Sequence, residues 1–174
     1  MYPDLGLLIL RLFVGMVVIA HGLQKFGYLG GYGIAGTAGW LESIGFAPGR
    51  LWVWVVALAE VGGGLLLVLG LGGPIGPGLV FADLAVASIG FHGPNGFWNS
   101  NNGWSWVSVI MAAALTIALT GFGAYSIDAA AGLTYPDWLL PAWLIAVALV
   151  AAVALVVQRS HRAAAPAAEA DTES

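Results

Sequence analysis

Long apolar runs separated by short polar or glycine-rich segments make up most of the chain. A helix needs about 20 mostly apolar residues to cross the hydrocarbon core of a bilayer. Runs that approach this length predict five spans: 5–24, 51–71, 75–92, 104–120 and 138–157. The pattern therefore predicts an all-α, polytopic membrane protein.

The connecting segments predict how these spans are arranged. The Gly/Pro turn at 70–77 predicts that the second and third spans are antiparallel neighbours. In the long loop at 26–50, the stretch GWLESIGF predicts a short interfacial helix with Trp40, Leu41 and Ile44 on one side. The small and polar residues from Ser160 onward predict a disordered tail.

The basic residues predict an orientation. With five spans, the basic residues that flank the loops and the last span fall on one side: Lys25, Arg50, Arg159 and Arg162. Basic residues favour the cytoplasmic side. We therefore expect a plasma-membrane protein with its N-terminus outside and its C-terminus in the cytoplasm; four spans would split the basic residues.

Composition supports a membrane protein and excludes several functions. Of the 174 residues, 60% are hydrophobic and only 8% are charged, too few to cover a soluble surface. There is no cysteine, which excludes disulfides, thiolate metal sites and dithiol relays within this chain. The chain has no stripe of basic residues, so we do not expect it to bind nucleic acid. Electrons would have to come from a cofactor, a quinone or a partner subunit.

Ionisable residues inside the predicted spans are the first candidates for function. Glu60 and Asp83 each lie about 14 Å from the cytoplasmic ends of their spans, and Arg11 about 20 Å. An unpaired charge at mid-bilayer costs about 2.5–3.5 kcal/mol. We therefore expect Arg11 to stabilise Glu60, with Asp83 as a second, protonated carboxyl. The alternative is polar contact between helices without chemistry.

Two histidines near the cytoplasmic ends of their spans are the second candidates. His21 lies one helical turn before Lys25, and His92 ends the third span. Such residues can form a proton or quinone gate. Interfacial hydrogen bonding and bis-histidine haem ligation are the alternatives. Two histidines and a distant acid do not make a metal site.

Tryptophans and glycines have both structural and functional interpretations. Trp98, Trp104 and Trp106 cluster at one predicted interface, as in an aromatic belt or around a ligand entrance. The glycines at 62–64 favour close approach of another helix, or a surface for a flat ring.

Several motifs together resemble the DoxX family. HG-Q-K lies at 21–25, AEVGGGLLLVLGL at 59–71, FHGPNGFWNSNNGW at 91–104 and S-I-D at 126–128. The resemblance covers about residues 5–130. It implies a four-helix membrane core and association with quinone-linked sulfur oxidation, or with a membrane complex that contains a superoxide dismutase and a sulfurtransferase. The residues that match family-typical positions are Arg11, His21, Gly22, Lys25, Glu60 and Asp128.

The chain also departs from the family pattern. Ser105 stands where the family usually has an acid, and Ala124 where it usually has an arginine. Asp83 and the fifth helix are additions to that pattern. If the missing acid is needed for electron or proton transfer, this chain is an accessory subunit.

The resulting division is a DoxX-like four-helix core at 1–130, an additional transmembrane helix at 131–158 and a disordered cytoplasmic tail at 159–174. We assign chemistry to Glu60, Arg11 and Asp83, and quinone binding to His21, His92, Lys25 and Trp104. The resemblance implies no covalent cofactor.

The leading hypothesis is a membrane subunit of a quinone-linked oxidoreductase, not catalytic alone, with a quinone-facing or proton-relay site. Its partners would be the lipid bilayer and other membrane or soluble subunits, with homo-oligomerisation left open. A non-catalytic anchor is the alternative. A small-solute or proton transporter ranks last, because the chain is short and shows no inverted repeat.

Overall fold

The computed structural model describes the backbone of residues 2–172 and the side chains of residues 2–163. The helices are α1 Tyr2–Lys25, α2 Gly33–Ser43, α3 Gly49–Leu69, α4 Ile75–Ala87, α5 Ser105–Thr120, α6 Ile127–Ala130 and α7 Leu139–Thr172. A π-helical turn, Ser88–His92, and a 3-10 turn, Gly93–Asn95, prolong α4, and Asn99–Asn101 form another 3-10 turn.

Four helices among the described residues are long and apolar enough to cross a membrane: Tyr2–Lys25, Gly49–Leu69, Ile75–Asn95 and Leu139–Ala163. They correspond to the first, second, third and fifth predicted spans. The fourth, α5, is apolar but has only 16 residues. It rises about 24 Å, less than the roughly 30 Å of a hydrocarbon core. The predicted all-α, polytopic membrane fold is confirmed.

Helices α1, α3, α4 and α5 form the core of the bundle. In sequence order each packs against the next, and α5 returns to pack against α1. Their shared interior is apolar, with Val14 and Val18 from α1, Leu67 from α3, Val80 from α4 and Ile110 from α5. Helix α7 packs outside this group, against α4. The arrangement is the predicted four-helix core with an added helix.

Glycines allow α3 to approach both of its neighbours closely. A Cβ on Gly64 would lie 2.8 Å from the carbonyl oxygen of Gly15 on α1. A Cβ on Gly63 would lie 3.0 Å from Val80 of α4. The predicted packing role therefore holds for Gly63 and Gly64, whereas Gly62 faces open space.

Helix α2 is longer than the sequence predicts. It begins at Gly33 and ends at Ser43, whereas the expected segment is 39–46. Gly45 has a φ of 93°, a conformation that side-chain-bearing residues rarely adopt, and this ends the segment. Beside α2, a second apolar cluster joins Leu41 and Phe46 to Val53 of α3 and Ala154 of α7.

The last helix continues far beyond the predicted span. Helix α7 runs to Thr172, although the sequence predicts disorder from Ser160. The alanine-rich composition accounts for the difference, since alanine has the highest helix propensity. Residues 173 and 174 of the predicted tail lie outside the described residues.

Candidate functional site

A largely apolar cavity of about 850 Å³ lies in the half of the bundle where α1 ends and α3 begins, and we call it the inner cavity. Helices α1 to α5 and α7 contribute side chains to its wall, together with the π-helical turn. The ionisable side chains that line it are His21, Lys25, Glu60, Asp83 and His92. Five of the seven predicted site residues therefore come together there.

An ion pair between α1 and α3 neutralises Glu60. The Nζ atom of Lys25 lies 2.8 Å from Oε1 and 2.6 Å from Oε2 of Glu60. Glu60 is only 5% exposed. Lys25 also donates to the carbonyl oxygen of His21, at 3.1 Å. Gly22 makes this pairing possible, because a Cβ there would lie 2.5 Å from Val61 and would push the helices apart.

Asp83 lies at the level of Glu60 on the neighbouring helix. Gly63 of α3 meets Val80 of α4, and the helices run in opposite directions. Asp83 lies one turn after Val80 on α4, and Glu60 lies one turn before Gly63 on α3, so the two carboxyls are at the same level. Asp83 is half-buried, lines the inner cavity and makes no hydrogen bond to any residue that the structure describes. Of the two carboxyls, Lys25 pairs with that of Glu60. The group of two carboxyls and one lysine is neutral when one carboxyl holds a proton.

The two histidines border the inner cavity in different ways. His21 is exposed, one turn before Lys25 on α1. His92 is half-buried on the π-helical turn, and its Nδ1 lies 2.6 Å from the carbonyl oxygen of Asn102. Since a carbonyl only accepts, Nδ1 carries the proton, and Nε2 of a neutral His92 is an acceptor. Phe91 packs edge-on against the ring, with centroids 4.9 Å apart.

The predicted pairing of Arg11 with Glu60 is wrong. The Arg11 guanidinium is buried, and it donates to the carbonyl oxygens of Leu67, Val68 and Tyr125. Leu67 is two turns beyond Glu60 on α3, a rise of about 10 Å. Arg11 therefore stabilises the C-terminal end of α3, where helix carbonyls lack partners within the helix, and it does not line the inner cavity.

Asp128 also has a structural role, at the same end of the bundle as Arg11. Its carboxylate accepts hydrogen bonds from the backbone N–H groups of Gly72 and Gly73, at 3.0 and 2.8 Å. The hydroxyl of Tyr135 donates to it at 2.9 Å. Desolvation and this carboxylate raise the pKa of Tyr135. The family-typical Arg11 and Asp128 thus hold the turn between α3 and α4.

Trp104 does not reach the inner cavity. It is 39% exposed and packs edge-on against Phe97, with ring centroids 4.9 Å apart. The tryptophans that line the cavity are Trp40, Trp52 and Trp106. Trp104 and Trp106 lie two residues apart, so the sequence cluster by itself did not distinguish which ring faces inward.

Sequence reasoning missed the contribution of α7. Val150 and Ala154 line the inner cavity, although the segment 138–157 that contains them has no charged residue and no other sequence signal of a site. The wall formed by α2 had such a signal, because Trp40, Leu41 and Ile44 were predicted to share one side. Within the described part of the chain, no group of three or more histidine or acidic side chains could hold a metal ion.

The model of one protein family, DoxX, matches residues 6–93, just over half of the chain. The match spans α1 to the π-helical turn and includes the ionisable residues of the inner cavity. No curated protein and no solved structure matches the chain. The chain belongs to the DoxX family of membrane proteins.

Proposed function

We propose that this chain is the membrane subunit of a quinone-linked oxidoreductase complex, and that the inner cavity is its quinone-facing, proton-delivering site. The observation that carries the proposal is an apolar cavity, about 850 Å³ in volume, that contains the Lys25–Glu60 ion pair, Asp83 and two histidines. Membership of the DoxX family agrees with it.

The residues of the inner cavity fit a quinone head group. Ligand sites of about 300–1,000 Å³ with mostly apolar walls and a few polar groups are typical of small-molecule binding. Aromatic walls such as Trp40 and Trp52 suit a flat ring. The Lys25 ammonium and an N–H of His21 can donate to carbonyl oxygens, whereas Nε2 of a neutral His92 can accept from the hydroxyl of a reduced quinone. A bound quinone would supply the capacity to take up electrons together with protons.

The chain's own residues supply binding and protons in this proposal. Lys25 orients a carbonyl oxygen while it remains paired with Glu60. Asp83 has no cation of its own and no hydrogen bond among the described residues, so it is the carboxyl that holds a proton and donates it. His21, exposed at the end of α1, returns protons from the surroundings.

Electrons would come from a partner subunit, because the sequence has no cysteine and shows no cofactor motif. The predicted plasma-membrane location and the cytoplasmic C-terminus remain part of this proposal. In that orientation the Lys25 end of α1, and with it His21, lies on the cytoplasmic side.

The experiment is purification in gentle detergent with the co-purifying subunits, followed by titration with decylubiquinone as the probe and by assay of its reduction with thiosulfate as the electron donor. We expect the probe to bind, and Asp83→Asn to slow probe reduction without loss of the partner subunits. The matched control is Asp137→Asn, which removes an exposed acid outside the cavity. The proposal fails if the probe does not bind, or if complexes without this chain reduce it at the same rate.

The same preparation tests the anchor alternative. An anchor predicts that Asp83→Asn and Glu60→Gln keep full activity, while deletion of residues 138–157 releases the partners. The quinone site predicts instead that Asp83→Asn and Glu60→Gln lower the activity while the partner subunits stay bound.

A further inference from the structure

Two side chains in the C-terminal half of α7 bridge two distant parts of the fold. Gln158 Nε2 donates to the carbonyl oxygens of Ile44 and Gly90, at 2.8 and 3.0 Å. Arg162, one turn later, donates to the same two oxygens, through Nε at 2.9 Å and Nη2 at 3.3 Å. Each carbonyl has two lone pairs and can accept both donors. We call Gln158 and Arg162 the α7 clamp.

The surroundings of Gln158 are built to hold its amide. The side chain is only 2% exposed. A Cβ on Gly90 would lie 2.8 Å from Gln158 Oε1, and a Cβ on Gly45 would lie 2.7 Å from its backbone oxygen. Only glycine leaves room for α7 at these two positions. A buried amide NH₂ group is costly unless it is hydrogen-bonded, and the two carbonyl oxygens accept from both of its N–H bonds.

Both parts held by the clamp form walls of the inner cavity. Ile44 caps the C-terminus of α2, and Trp40, Leu41 and Ile44 line the cavity. Gly90 lies in the π-helical turn that carries His92. Ala154, one turn before Gln158, lines the cavity and is buried against α2 and α3. The clamp thus joins three separate walls through two backbone carbonyls.

We propose that Gln158 and Arg162 are positioning residues of the inner cavity, which hold α2 and His92 at the separation that the ligand requires. Helix α7 is then part of the binding site and more than an anchor. Both residues lie beyond residues 6–93, the segment that matches the family model. The inference rests on the proposed function only in that the inner cavity binds a ligand.

The first test measures, in the absence of a ligand, how readily the cavity wall opens to a thiol reagent. Because the chain has no cysteine, Ala154→Cys introduces a single buried thiol. We expect Arg162→Ala to speed its reaction with a small maleimide by about tenfold, as for the loss of one to two hydrogen bonds that oppose local opening. The matched control is Arg159→Ala, the neighbouring arginine, which makes none of the clamp's hydrogen bonds.

The second test adds the probe. In the same variants of the full complex, but without the thiol, we expect the affinity for decylubiquinone to fall by about tenfold in Arg162→Ala and to stay unchanged in Arg159→Ala. Gln158→Leu, which keeps the approximate volume but removes the donors, should act like Arg162→Ala. If Gln158→Leu does not fold, the more exposed Arg162 still decides the outcome.

The outcomes separate the two proposals. Equal labelling rates in Arg162→Ala and Arg159→Ala would overturn the clamp. Faster labelling together with unchanged probe affinity would overturn its positioning role. Faster labelling in a complex that never binds the probe supports the clamp and refutes the proposed quinone site.

Discussion

Lys25 Nζ lies 2.6 Å from Glu60 Oε2, and the cation that neutralises this buried acid comes from the last turn of α1. Arg11, from the same helix, serves the opposite half of α3. The two cations on α1 therefore have separate roles. Lys25 lines the inner cavity, and Arg11 stabilises the end of α3. Each role leads to a different expectation when the residue is replaced.

Removal of Lys25 should destabilise the protein through Glu60. Lys25→Met leaves a buried carboxylate without its cation, a loss of up to about 3–5 kcal/mol in unfolding free energy. Lys25→Met combined with Glu60→Gln should recover most of that loss, since no charge is left unpaired. Thermal unfolding in detergent measures both, with the exposed Arg50→Met as control. If the double variant is no more stable than Lys25→Met, the pair does not govern stability.

Arg11→Lys should lower stability and leave ligand binding intact. A lysine has one ammonium group and cannot reach the carbonyl oxygens of Leu67 and Tyr125 together, as the two terminal nitrogens of the guanidinium do. Each lost hydrogen bond to the charged group is worth about 1.5–3 kcal/mol. The midpoint temperature of thermal unfolding should therefore fall, while the affinity of the full complex for decylubiquinone stays at its original value. A weaker affinity at unchanged stability would place Arg11 at the inner cavity after all.

The consecutive glycines of α3 should respond differently to alanine. Gly64→Ala places a Cβ 2.8 Å from the backbone oxygen of Gly15, which cannot move without separating the helices. Gly62→Ala meets nothing within 4 Å and should be neutral or stabilise the helix by up to about 1 kcal/mol. Thermal unfolding of the two single variants provides the comparison. Equal effects of the two substitutions would contradict the close packing of α1 on α3.

The contact between Tyr135 and Asp128 should depend on pH. The pKa of Tyr135 is raised by desolvation and by the carboxylate beside it, so the folded state holds the phenolic proton more tightly than the unfolded state. This stabilisation is present below about pH 10, the ordinary pKa of tyrosine, and is lost as the pH rises above it. Tyr135→Phe should therefore cost about 0.5–1.5 kcal/mol at neutral pH.

Above that pH the difference in unfolding free energy between Tyr135→Phe and the unmodified protein should shrink toward zero. Thermal unfolding at several pH values between neutral and strongly alkaline conditions measures the trend, and the subtraction removes the effect of the other tyrosines. A difference that stays constant across this range would show that the hydroxyl does not interact with Asp128.

Much of the fold follows from the sequence. Each predicted span has a helix at its position, because run length and apolar content are local properties that a bilayer selects directly. The four-helix core with an added helix, the close packing at Gly63 and Gly64, and the shared side of Trp40, Leu41 and Ile44 were also predictable. That this side forms a wall of the inner cavity was not predicted. The helical continuation of α7 to Thr172 was not predictable, because alanine-rich polar segments fit either state.

The candidate site was predictable only in part. Depth along a helix brought Glu60 and Asp83 to one level, and the structure retains that relationship. Depth favoured Arg11 over Lys25 as the partner of Glu60, because Lys25 lies in the last turn of α1, and that choice was wrong. The choice depends on which residues of α1 meet which residues of α3, and the contacts of Gly15 and Gly22 set that register. The sequence signal that could have revealed this register is the spacing of Gly15 and Gly22, which lie two turns apart on the face of α1 that α3 approaches.

The sequence by itself determined the membrane class, the family and the residue types available for chemistry. Only the tertiary structure decided that Lys25 pairs with Glu60, that Arg11 and Asp128 hold the far end of the bundle, and that α7 closes the inner cavity. The physical reason is that span formation depends on each segment's own transfer into lipid. Side-chain pairing depends on the rotation and register of packed helices, which contacts distant in sequence determine.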